Sequence, residues 1–496
     1  MGIFKTIAGL LKRQYEAAEG GRLNRDFMAS TTSEDAELAM SLTTLRNRSR
    51  KMIRDNPHAA NLKRIVQDNI VGNGIGVQAQ VMKADGTPDD ELNSRIEEAW
   101  LQWSERDNCH TAGMLSMNAM LRLVVGSVFQ DGEVLVRKVH SAFGSSRIPF
   151  ALEILEADLL LDQAEGTFIT RWGNSVRFGV EVDQWLRPVA YWINPVHPGD
   201  SAFPSQNRRA ERKRLPAAEV DHIYLVERWP QTRGIPWMHS VIRRLHDASE
   251  YTKSELVAAR TAANLTGFVQ MMPEMMDDPS FKNKKINLTF KSEPGTFRRL
   301  LPGETFAGYP PARNNAGLEA FMRHMLREMA AGVGVSYESL SRDYSQSNYS
   351  SSRLSLLDER SLWRILQGWL IREHLAPIYK QWLDAAVLSG AIDIPDYFRR
   401  RSFYQKVRFK PRGWSWVDPA KEVQAYISAV AAGFMSRSDV IAQIGNGQDR
   451  EDVDKEIRAD IDRAKELGLE FDHQIASKVQ VETDEETETQ KQRAGQ

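Results

Sequence analysis

The side chains that could perform catalysis are scattered through this sequence without the spacing that catalysis needs. The single cysteine, Cys109, directly precedes His110, but a nucleophile and its base are brought together by the fold, and adjacency says little about them. Gly72, Gly74 and Gly76 precede a strand-like stretch, whereas a dinucleotide-binding loop joins a strand to a helix. The ten histidines lack metal-ligand spacing. The sequence therefore predicts no catalytic residue, no cofactor and no metal site.

Local motifs of the common enzyme classes are also missing from the sequence. It contains no Gly-x-x-x-x-Gly-Lys-Ser/Thr phosphate-binding loop, no His-Glu-x-x-His zinc motif and no Gly-x-Ser-x-Gly nucleophile elbow. We therefore expect a protein that is not an enzyme. One alternative stays open, a nucleic-acid-processing enzyme with a metal site of carboxylates gathered from distant positions, because such a site leaves no local motif.

A basic and aromatic stretch, residues 398–412, is the part of the sequence best suited to contact nucleic acid. Its cations are interspersed with aromatic rings, a mixture that can bind single strands by charge and stacking. The alternation from Tyr404 to Phe409 equally indicates an exposed strand, which we favour. The whole chain has 65 Lys and Arg against 66 Asp and Glu, so a large excess of positive charge does not hold nucleic acid to it.

Length and composition predict a multidomain globular protein. The 496 residues, of which 42% are hydrophobic, correspond to roughly three domains of about 150 residues. A single cysteine excludes an intrachain disulfide. No stretch reaches the roughly 20 apolar residues of a membrane-spanning helix. Residues 1–30 are expected to form an amphipathic segment rather than a signal peptide, because Lys5, Lys12 and Arg13 interrupt its apolar residues.

Hydrophobic periodicity divides the first half of the chain into helical and strand-forming regions. Thr31 and Glu34 form a predicted capping box, and Asn56-Pro57 is predicted to end one helix and begin the next. Between about 133 and 227 the period falls to two residues, which predicts a sheet. The predicted strands are 133–140, 150–156, 176–182, 188–193 and 222–227. Helices and sheet together indicate an α+β domain.

The second half of the sequence is predicted to be mainly helical. Residues 239–263 contain neither Pro nor Gly and predict a helix of roughly 37 Å at about 1.5 Å per residue. A Pro-, Gly- and Met-rich stretch follows, with a short predicted strand at 286–290. Further helices are predicted at 316–331 and 353–385, separated by the polar loop 341–352. Two or three short helices are predicted between 420 and 468, before an acidic tail that is expected to be disordered.

Five sequence blocks, in this order, resemble the lambda-type family of tailed-bacteriophage portal proteins. The blocks are Arg54–Pro57 with Asn69–Ile75, Asp131–Val134, Arg228–Pro236, Gly334–Asp343 with Asn348–Arg353, and Trp416–Glu422. The fourth block is the most specific of the five. Trp229 and Pro230 depart from the family pattern in the third block.

The resemblance implies a portal fold of the α+β class, with a mixed wing domain, a two-helix stem, a small α/β clip and a C-terminal helical crown, assembled into a ring. The implied boundaries are the N-terminal segment 1–30, the wing 31–238, the first stem helix 239–263, the clip 264–315, the second stem helix 316–333, the tunnel loop region 334–352, the tunnel helix and wing return 353–415, the crown 416–475 and the acidic tail 476–496.

The resemblance also implies a function and a set of partners. A homo-oligomeric ring, expected to be a dodecamer, would form the channel at one capsid vertex through which the terminase packages double-stranded DNA and from which the DNA is later ejected. The same ring would nucleate head assembly with scaffolding and major capsid proteins, and would later bind head-completion and tail-adaptor proteins. Its location would be the virion, and the host cytoplasm during assembly, without membrane contact.

Two groups of residues are then candidate interaction sites. The tunnel loop would touch DNA phosphates without reading bases, through Arg342, Tyr344, Gln346, Asn348, Tyr349 and Arg353. The clip would dock the terminase through cations, which are Lys282, Lys284, Lys285, Arg298 and Arg299. Without the resemblance, an ordinary flexible surface loop would be the simpler interpretation of 341–352.

Overall fold

The computed structural model describes residues 31–83, 85–162, 166–200, 211–264, 268–271, 304–307, 317–345, 348–414, 419–444 and 450–469. The chain separates into two compact units, Met1–Arg412 and Gly413–Gln496. Helices and antiparallel sheets together make the fold α+β, as predicted. Among the described residues, no helix is both long and apolar enough to cross a membrane.

Helices form much of both units. Those of the first unit are α1 (Glu34–Asp55), α2 (Pro57–Ile70), α3 (Asp90–Trp103), α4 (Arg106–Cys109), α5 (Met117–Asp131), α6 (Ile242–Asn264), α7 (Leu318–Val333), α8 (Tyr337–Ser341), α9 (Tyr349–Trp369), α10 (Ala376–Leu388) and α11 (Arg401–Tyr404). Those of the second unit are α12 (Pro419–Ala431), α13 (Arg437–Ile444) and α14 (Arg450–Glu466). In that unit Nη1 of Arg437 lies 2.7 Å from Oδ1 of Asp454, which joins α13 to α14.

The strands found among the described residues belong to the first unit and pair antiparallel. They are β1 (Gly76–Ala79), β2 (Glu133–Val139), β3 (Ala151–Leu155), β4 (Phe168–Ile169), β5 (Ser175–Arg177), β6 (Val180–Val182), β7 (Pro188–Ile193), β8 (Lys213–Pro216), β9 (Val220–Tyr224), β10 (Phe268–Met271), β11 (Glu304–Ala307) and β12 (Val407–Lys410). The sheet orders are β3-β2-β9, β4-β5-β6-β7-β8, β1-β12 and β10-β11.

The core of the first unit lies between α5, the three-stranded sheet and the aromatic side of α3 and α10. Strand β2 pairs on both sides, with β3 and with β9, so its residues from Glu133 to Val136 are buried. Rings of Trp100 and Trp103 lie 4.9 and 6.0 Å from that of Trp382. Large aromatic side chains remove the most apolar area from water, so this cluster anchors the helices to the sheet.

In the five-stranded sheet, one stretch predicted as a single strand forms two strands. The stretch predicted as a single strand, 176–182, is a hairpin of β5 and β6 that turns at Phe178 and Gly179. Both residues have positive φ, 48° and 84°, and a Cβ on Gly179 would lie 2.8 Å from the backbone nitrogen of Leu161. A bulky residue in the left-handed region is uncommon. The alternation of apolar residues therefore predicted one continuous strand, with no turn at Phe178.

Helices α6 and α7 form an antiparallel pair. Nε of Arg244, near the start of α6, lies 2.9 Å from Oε2 of Glu328, near the end of α7. Further along α6, the ring of Tyr251 lies 5.0 Å from that of Phe321, near the start of α7. After α6 and before α7, strands β10 and β11 pair in the register Phe268 with Ala307. Within the interval between the two helices, the described residues thus form one antiparallel pair of strands.

The helix boundaries differ modestly from the predicted ones. The helix expected at 239–263 starts at Ile242 after a 3-10 turn, Trp237–Ser240, and the one expected at 316–331 is α7. The predicted helix 353–385 begins earlier, at Tyr349, and a π-helical turn, Leu370–Leu375, joins α9 to α10. At the start of α1 the cap is Ser33, whose hydroxyl accepts from the backbone N–H of Ala36, rather than the predicted Thr31.

The basic and aromatic stretch is only partly a strand. Val407–Lys410 forms β12 and pairs with β1, whereas residues before it form a 3-10 turn and α11. Asp396, before this turn, has a φ of 56°, and Arg401 forms an ion pair with Asp384 of α10. The short strand predicted at 286–290 lies outside the described residues.

Candidate functional site

The predicted DNA-contacting loop follows two short helical elements that fix where it starts. Helix α7 ends at Gly334, which has a φ of 82°. Ser336 then caps α8, with its hydroxyl accepting from the backbone N–H of Ser339 at 3.1 Å. Helix α8 ends at Arg342, which has a φ of 59° and donates its backbone N–H to the carbonyl of Glu338. Positive φ at both ends makes the chain turn sharply, so the loop leaves α8 in a defined direction.

Asn61 of α2 fastens the beginning of this loop to the body of the first unit. Its side-chain amide lies 3.0 Å from the carbonyl oxygens of both Ser339 and Leu340, to which it donates. Its side-chain oxygen lies 3.4 Å from Nη2 of Arg342. The last carbonyls of a helix lack intrahelical partners, so Asn61 supplies the missing donors for α8 and holds Arg342 beside α2.

The loop residue next to Arg342 is an anion held by local hydrogen bonds. Oδ2 of Asp343 accepts from the hydroxyl of Tyr337 at 2.9 Å, and Oδ1 accepts from the backbone N–H of Ser345 at 3.0 Å. Hydrogen bonds from the hydroxyl and backbone of Ser345, and then from Tyr337, lower the pKa of Asp343 to about 2. The carboxylate is therefore charged at neutral pH, and the cation whose charge acts on it is Arg323 of α7.

The other predicted tunnel-loop residues are partly described. Tyr344 and Asn348 are exposed in the loop, and Arg353 lies half-buried on α9, which begins earlier than predicted, at Tyr349. Gln346 and the side chain of Tyr349 lie outside the described residues. So do the five cations predicted for the clip: Lys282, Lys284, Lys285, Arg298 and Arg299.

A buried acid lies behind the loop and was not predicted from the sequence. Oε2 of Glu359, on α9, lies 3.0 Å from the hydroxyl oxygens of both Ser336 and Ser339. Burial raises the pKa of Glu359, against the hydrogen bonds from the two serines. Helix α9 is thus joined through one carboxyl group to the cap of α8 and so to the start of the loop.

A buried cluster of charges joins two of the sequence blocks. Glu133, which is fully buried, accepts from Nη2 of Arg46 and Nε of Arg233, each at 2.7 Å, and from the backbone N–H of Gly234 at 2.8 Å. Nε2 of His222 lies 2.9 Å from its other oxygen. Burial opposes ionisation, but the charges of Arg233 and Arg46 and the hydrogen bond with His222 outweigh it, so the pKa of Glu133 is well below its usual range.

The same two blocks touch through glycines. A Cβ on Gly132 would lie 2.4 Å from the carbonyl carbon of Ile235, and one on Gly234 would lie 2.1 Å from the carbonyl oxygen of Gly132. Real side chains cannot be accommodated at such distances. The Asp131-Gly-Glu-Val and Arg-Gly-Ile-Pro blocks therefore form one packed junction, at the point where the chain approaches α6.

A group of metal-ligand residues lies at the edge of this cluster. Ligand atoms of Glu156, Asp158 and His197 all lie within 4.8 Å of one another. Arg50 forms ion pairs with both carboxylates, and Nη1 of Arg46 lies 2.7 Å from Asp158. Burial opposes ionisation of Asp158, but the two arginines lower its pKa. The carboxylates are already neutralised by guanidinium groups, so the arrangement suits an ion-pair network better than a divalent cation.

Cys109 does not have the environment of a nucleophile. The thiol is buried, which raises its pKa to about 12. His110 directs Nδ1 to the backbone N–H of Met114, which donates to it at 3.2 Å. A thiol with a raised pKa is hardly ionised at neutral pH and is therefore inert.

Comparisons with known proteins identify what the chain resembles. A family model described as phage portal protein, lambda family, matches residues 20–367. The probable portal protein of Halomonas phage phiHAP-1 is 33% identical over 466 residues, covering 92% of this chain and 88% of that protein. Portal protein B of Escherichia phage lambda is 23% identical over 462 residues, covering 86% and 85%. Among solved structures, the neck of an empty gene transfer agent particle, computed with C6 symmetry, aligns with 14% identity and a TM-score of 0.46, covering 80% of this chain and 93% of that one.

Proposed function

Because the chain belongs to the lambda family of phage portal proteins, we propose that its copies close into a dodecameric ring at one vertex of a viral head, forming the channel for double-stranded DNA. The terminase would drive DNA inward through this channel, and the DNA would later be ejected through it. The protein would supply the geometry and the lining of the channel, without a catalytic step of its own. It would act in the virion, after assembling in the host cytoplasm.

The observation that carries this proposal is the antiparallel pair of α6 and α7. Arg244 contacts Glu328 at one end, and Tyr251 contacts Phe321 further along. Such a pair projects whatever lies between the two helices away from the body. We assign the pair to the stem and residues 264–315 to the clip, which would dock terminase through Lys282, Lys284, Lys285, Arg298 and Arg299 and later receive tail-adaptor proteins.

The remaining parts follow from that assignment. Residues 31–238 would be the wing, where scaffolding and major capsid proteins would meet the ring during head assembly. Residues 334–352 would be the tunnel loop region, with Asn61 fixing Arg342 beside α2. The tunnel helix and wing return would be 353–415, and the crown 416–475.

An apolar face of α9 supports self-association. Leu354, Leu357 and Ile365 share one face of this helix, since they are spaced by three and eight residues. Their exposed fractions are 71%, 45% and 64%. Apolar patches of this kind mark contact surfaces, and a neighbouring subunit in a ring would cover this one. Repeated heterologous contacts of this kind generate closed rings.

Class averages of negatively stained purified protein test the proposal directly. We expect rotational symmetry and a central opening, together with no cleavage of DNA in the presence of divalent metal ions. Ile365→Glu should abolish or weaken the ring, whereas Leu101→Glu, at a similarly exposed apolar residue of α3, should leave it intact. A monomer or dimer at high concentration would overturn the proposal, and metal-dependent cleavage would favour the nuclease alternative.

A further inference from the structure

One exposed face of α2 carries a line of residues that leads from the predicted tunnel loop to β12. Asn61, Arg64 and Asp68 are spaced by three and four residues, which places them on one side of a helix. The apolar residues Ala59, Leu62 and others face the opposite way and are buried. Arg64 is exposed and has no ion-pair partner in the part of the chain that the structure describes.

A cation lies at each end of this line. At the first end, Nη2 of Arg342 lies 3.4 Å from Oδ1 of Asn61. At the other end, Nη1 of Arg412 donates to the backbone carbonyl of Asp68 at 2.6 Å. The carboxylate of Asp68 accepts from Arg122 at 2.8 Å, so it is already paired. At about 1.5 Å per residue, the two ends are roughly 10 Å apart along the helix axis.

The line continues onto a strand. Strand β1 follows α2 and pairs with β12, so that Gly76 lies opposite Lys410 and Gln78 opposite Arg408. Residues two apart on a strand share a face and lie about 6.5 Å from one another, so Lys410 and Arg408 of β12 lie on one side of the strand. Gly76 and Gln78, the strand residues opposite Lys410 and Arg408, carry no charge, and Lys410 is exposed.

We propose that Arg342, Arg64, Arg412 and Lys410 form a cationic track that contacts the phosphates of duplex DNA, extending the contact well beyond the tunnel loop. Each strand of a duplex offers a phosphate about every 3.4 Å along its axis, so the α2 part of the track spans roughly three nucleotides. The cations are single and spaced, with Asp343 beside Arg342, so the contacts are weak and independent of base sequence. The inference rests on the proposed channel function, because that function brings duplex DNA to the subunit.

The track is tested by the salt dependence of DNA binding to the assembled ring. The probe is a labelled 30-base-pair duplex of arbitrary sequence, and the variants are Arg64→Gln, Lys410→Gln and the pair together. The logarithm of the binding constant falls linearly with the logarithm of salt, by about 0.9 for each phosphate contact. Each substitution is present in every subunit of the ring, so we expect a single substitution to reduce this slope by about 0.9 for every subunit that contacts the duplex, and the pair by about twice as much. Arg187→Gln, at an exposed turn between β6 and β7, is the matched control and should leave the slope unchanged.

Several outcomes would overturn the track. The first is a salt-dependence slope that is unchanged in both single variants, and the second is failure of the wild-type ring to bind the duplex. The third is loss of the ring in Arg64→Gln, because Arg64 would then be a structural residue. If the substitutions reduce the affinity of the ring for a polyglutamate peptide more than its affinity for the duplex, the surface binds an acidic protein instead. The proposed function fails separately, when class averages show no ring with a central opening.

Discussion

Nε of Arg233 lies 2.7 Å from Oε1 of Glu133, and both side chains are buried. This ion pair connects the segment before α6 to the central strand of the three-stranded sheet, and Arg46 connects the same carboxylate to α1. The segment before α6, the sheet and α1 therefore meet at one carboxylate. Because the pair is fully enclosed, its effect on stability depends on every partner being present.

Glu133→Gln should destabilise the subunit strongly. The substitution leaves the guanidinium groups of Arg233 and Arg46 buried without their shared anion, which typically costs about 3–5 kcal/mol. Denaturant unfolding of the purified protein measures the loss. The control is Glu153→Gln, whose carboxylate forms a more exposed pair with Arg137 at 3.2 Å and should cost less than about 1 kcal/mol. Equal losses in the two variants would contradict the expectation.

Acid should destabilise the protein through the same carboxylate. The pKa of Glu133 in the folded state lies well below its ordinary value of 4.5, so the unfolded chain takes up a proton first as the pH falls. The stabilisation is therefore complete above about pH 4.5 and is lost as the pH falls through the folded-state pKa. Asp158, whose pKa is also lowered, acts in the same direction. Melting temperatures between pH 7 and pH 3 should fall less steeply in Glu133→Gln than in the wild type, and parallel profiles would refute this.

Asn61→Ala should loosen the start of the tunnel loop without unfolding the protein. Two hydrogen bonds to the end of α8 are lost, each with a net value of about 0.5–1.5 kcal/mol. Hydrogen exchange at the backbone amides of residues 342–345 should accelerate, while that of β2 stays slow. The control is Arg64→Gln, which removes a neighbouring side chain that forms no hydrogen bond or ion pair with α8 in the described structure. Unchanged exchange in Asn61→Ala would show that the loop is held by other groups.

Arg342→Ala and Tyr344→Ala should leave ring assembly intact while weakening DNA retention or packaging. Both side chains are exposed, and among the described residues the side chain of Arg342 forms one long hydrogen bond, with Asn61. Size-exclusion chromatography reports assembly, and the fraction of DNA retained in filled heads reports function. Variants that fail to oligomerise would make the loop structural, and its proposed place in the channel would then be wrong.

Local signals in the sequence predicted local structure well. Asn56 caps α2, accepting from the backbone N–H groups of His58 and Ala59, with Pro57 in the first turn, as predicted. The family was also predicted correctly, because five ordered blocks carry more information than any one of them. The strand prediction at 176–182 failed where Phe178 adopts a positive φ, since nothing in an apolar alternation marks such a turn.

The candidate site was less predictable because its parts are distant along the chain. Arg46, Glu133, His222 and Arg233 come from α1, β2, β9 and the segment before α6, and no periodicity links them. Asn61 and Glu359 were not predicted either, because an isolated Asn or Glu in a helix is most often a solvated side chain. Only the fold brings them to α8. The sequence blocks at 131–134 and 228–236 indicated the family, but nothing in their spacing predicted that they pack against each other.

The pairing of β1 with β12 has a consequence for how the polypeptide is made. About 330 residues separate the two strands, and a ribosome adds about 5–20 residues per second. Strand β1 therefore waits for tens of seconds after its own synthesis before its only sheet partner among the described strands emerges. During that interval its free edge can meet the nascent chains of neighbouring ribosomes, so slow translation of residues 80–406 should favour aggregation, and an early-binding chaperone should relieve it.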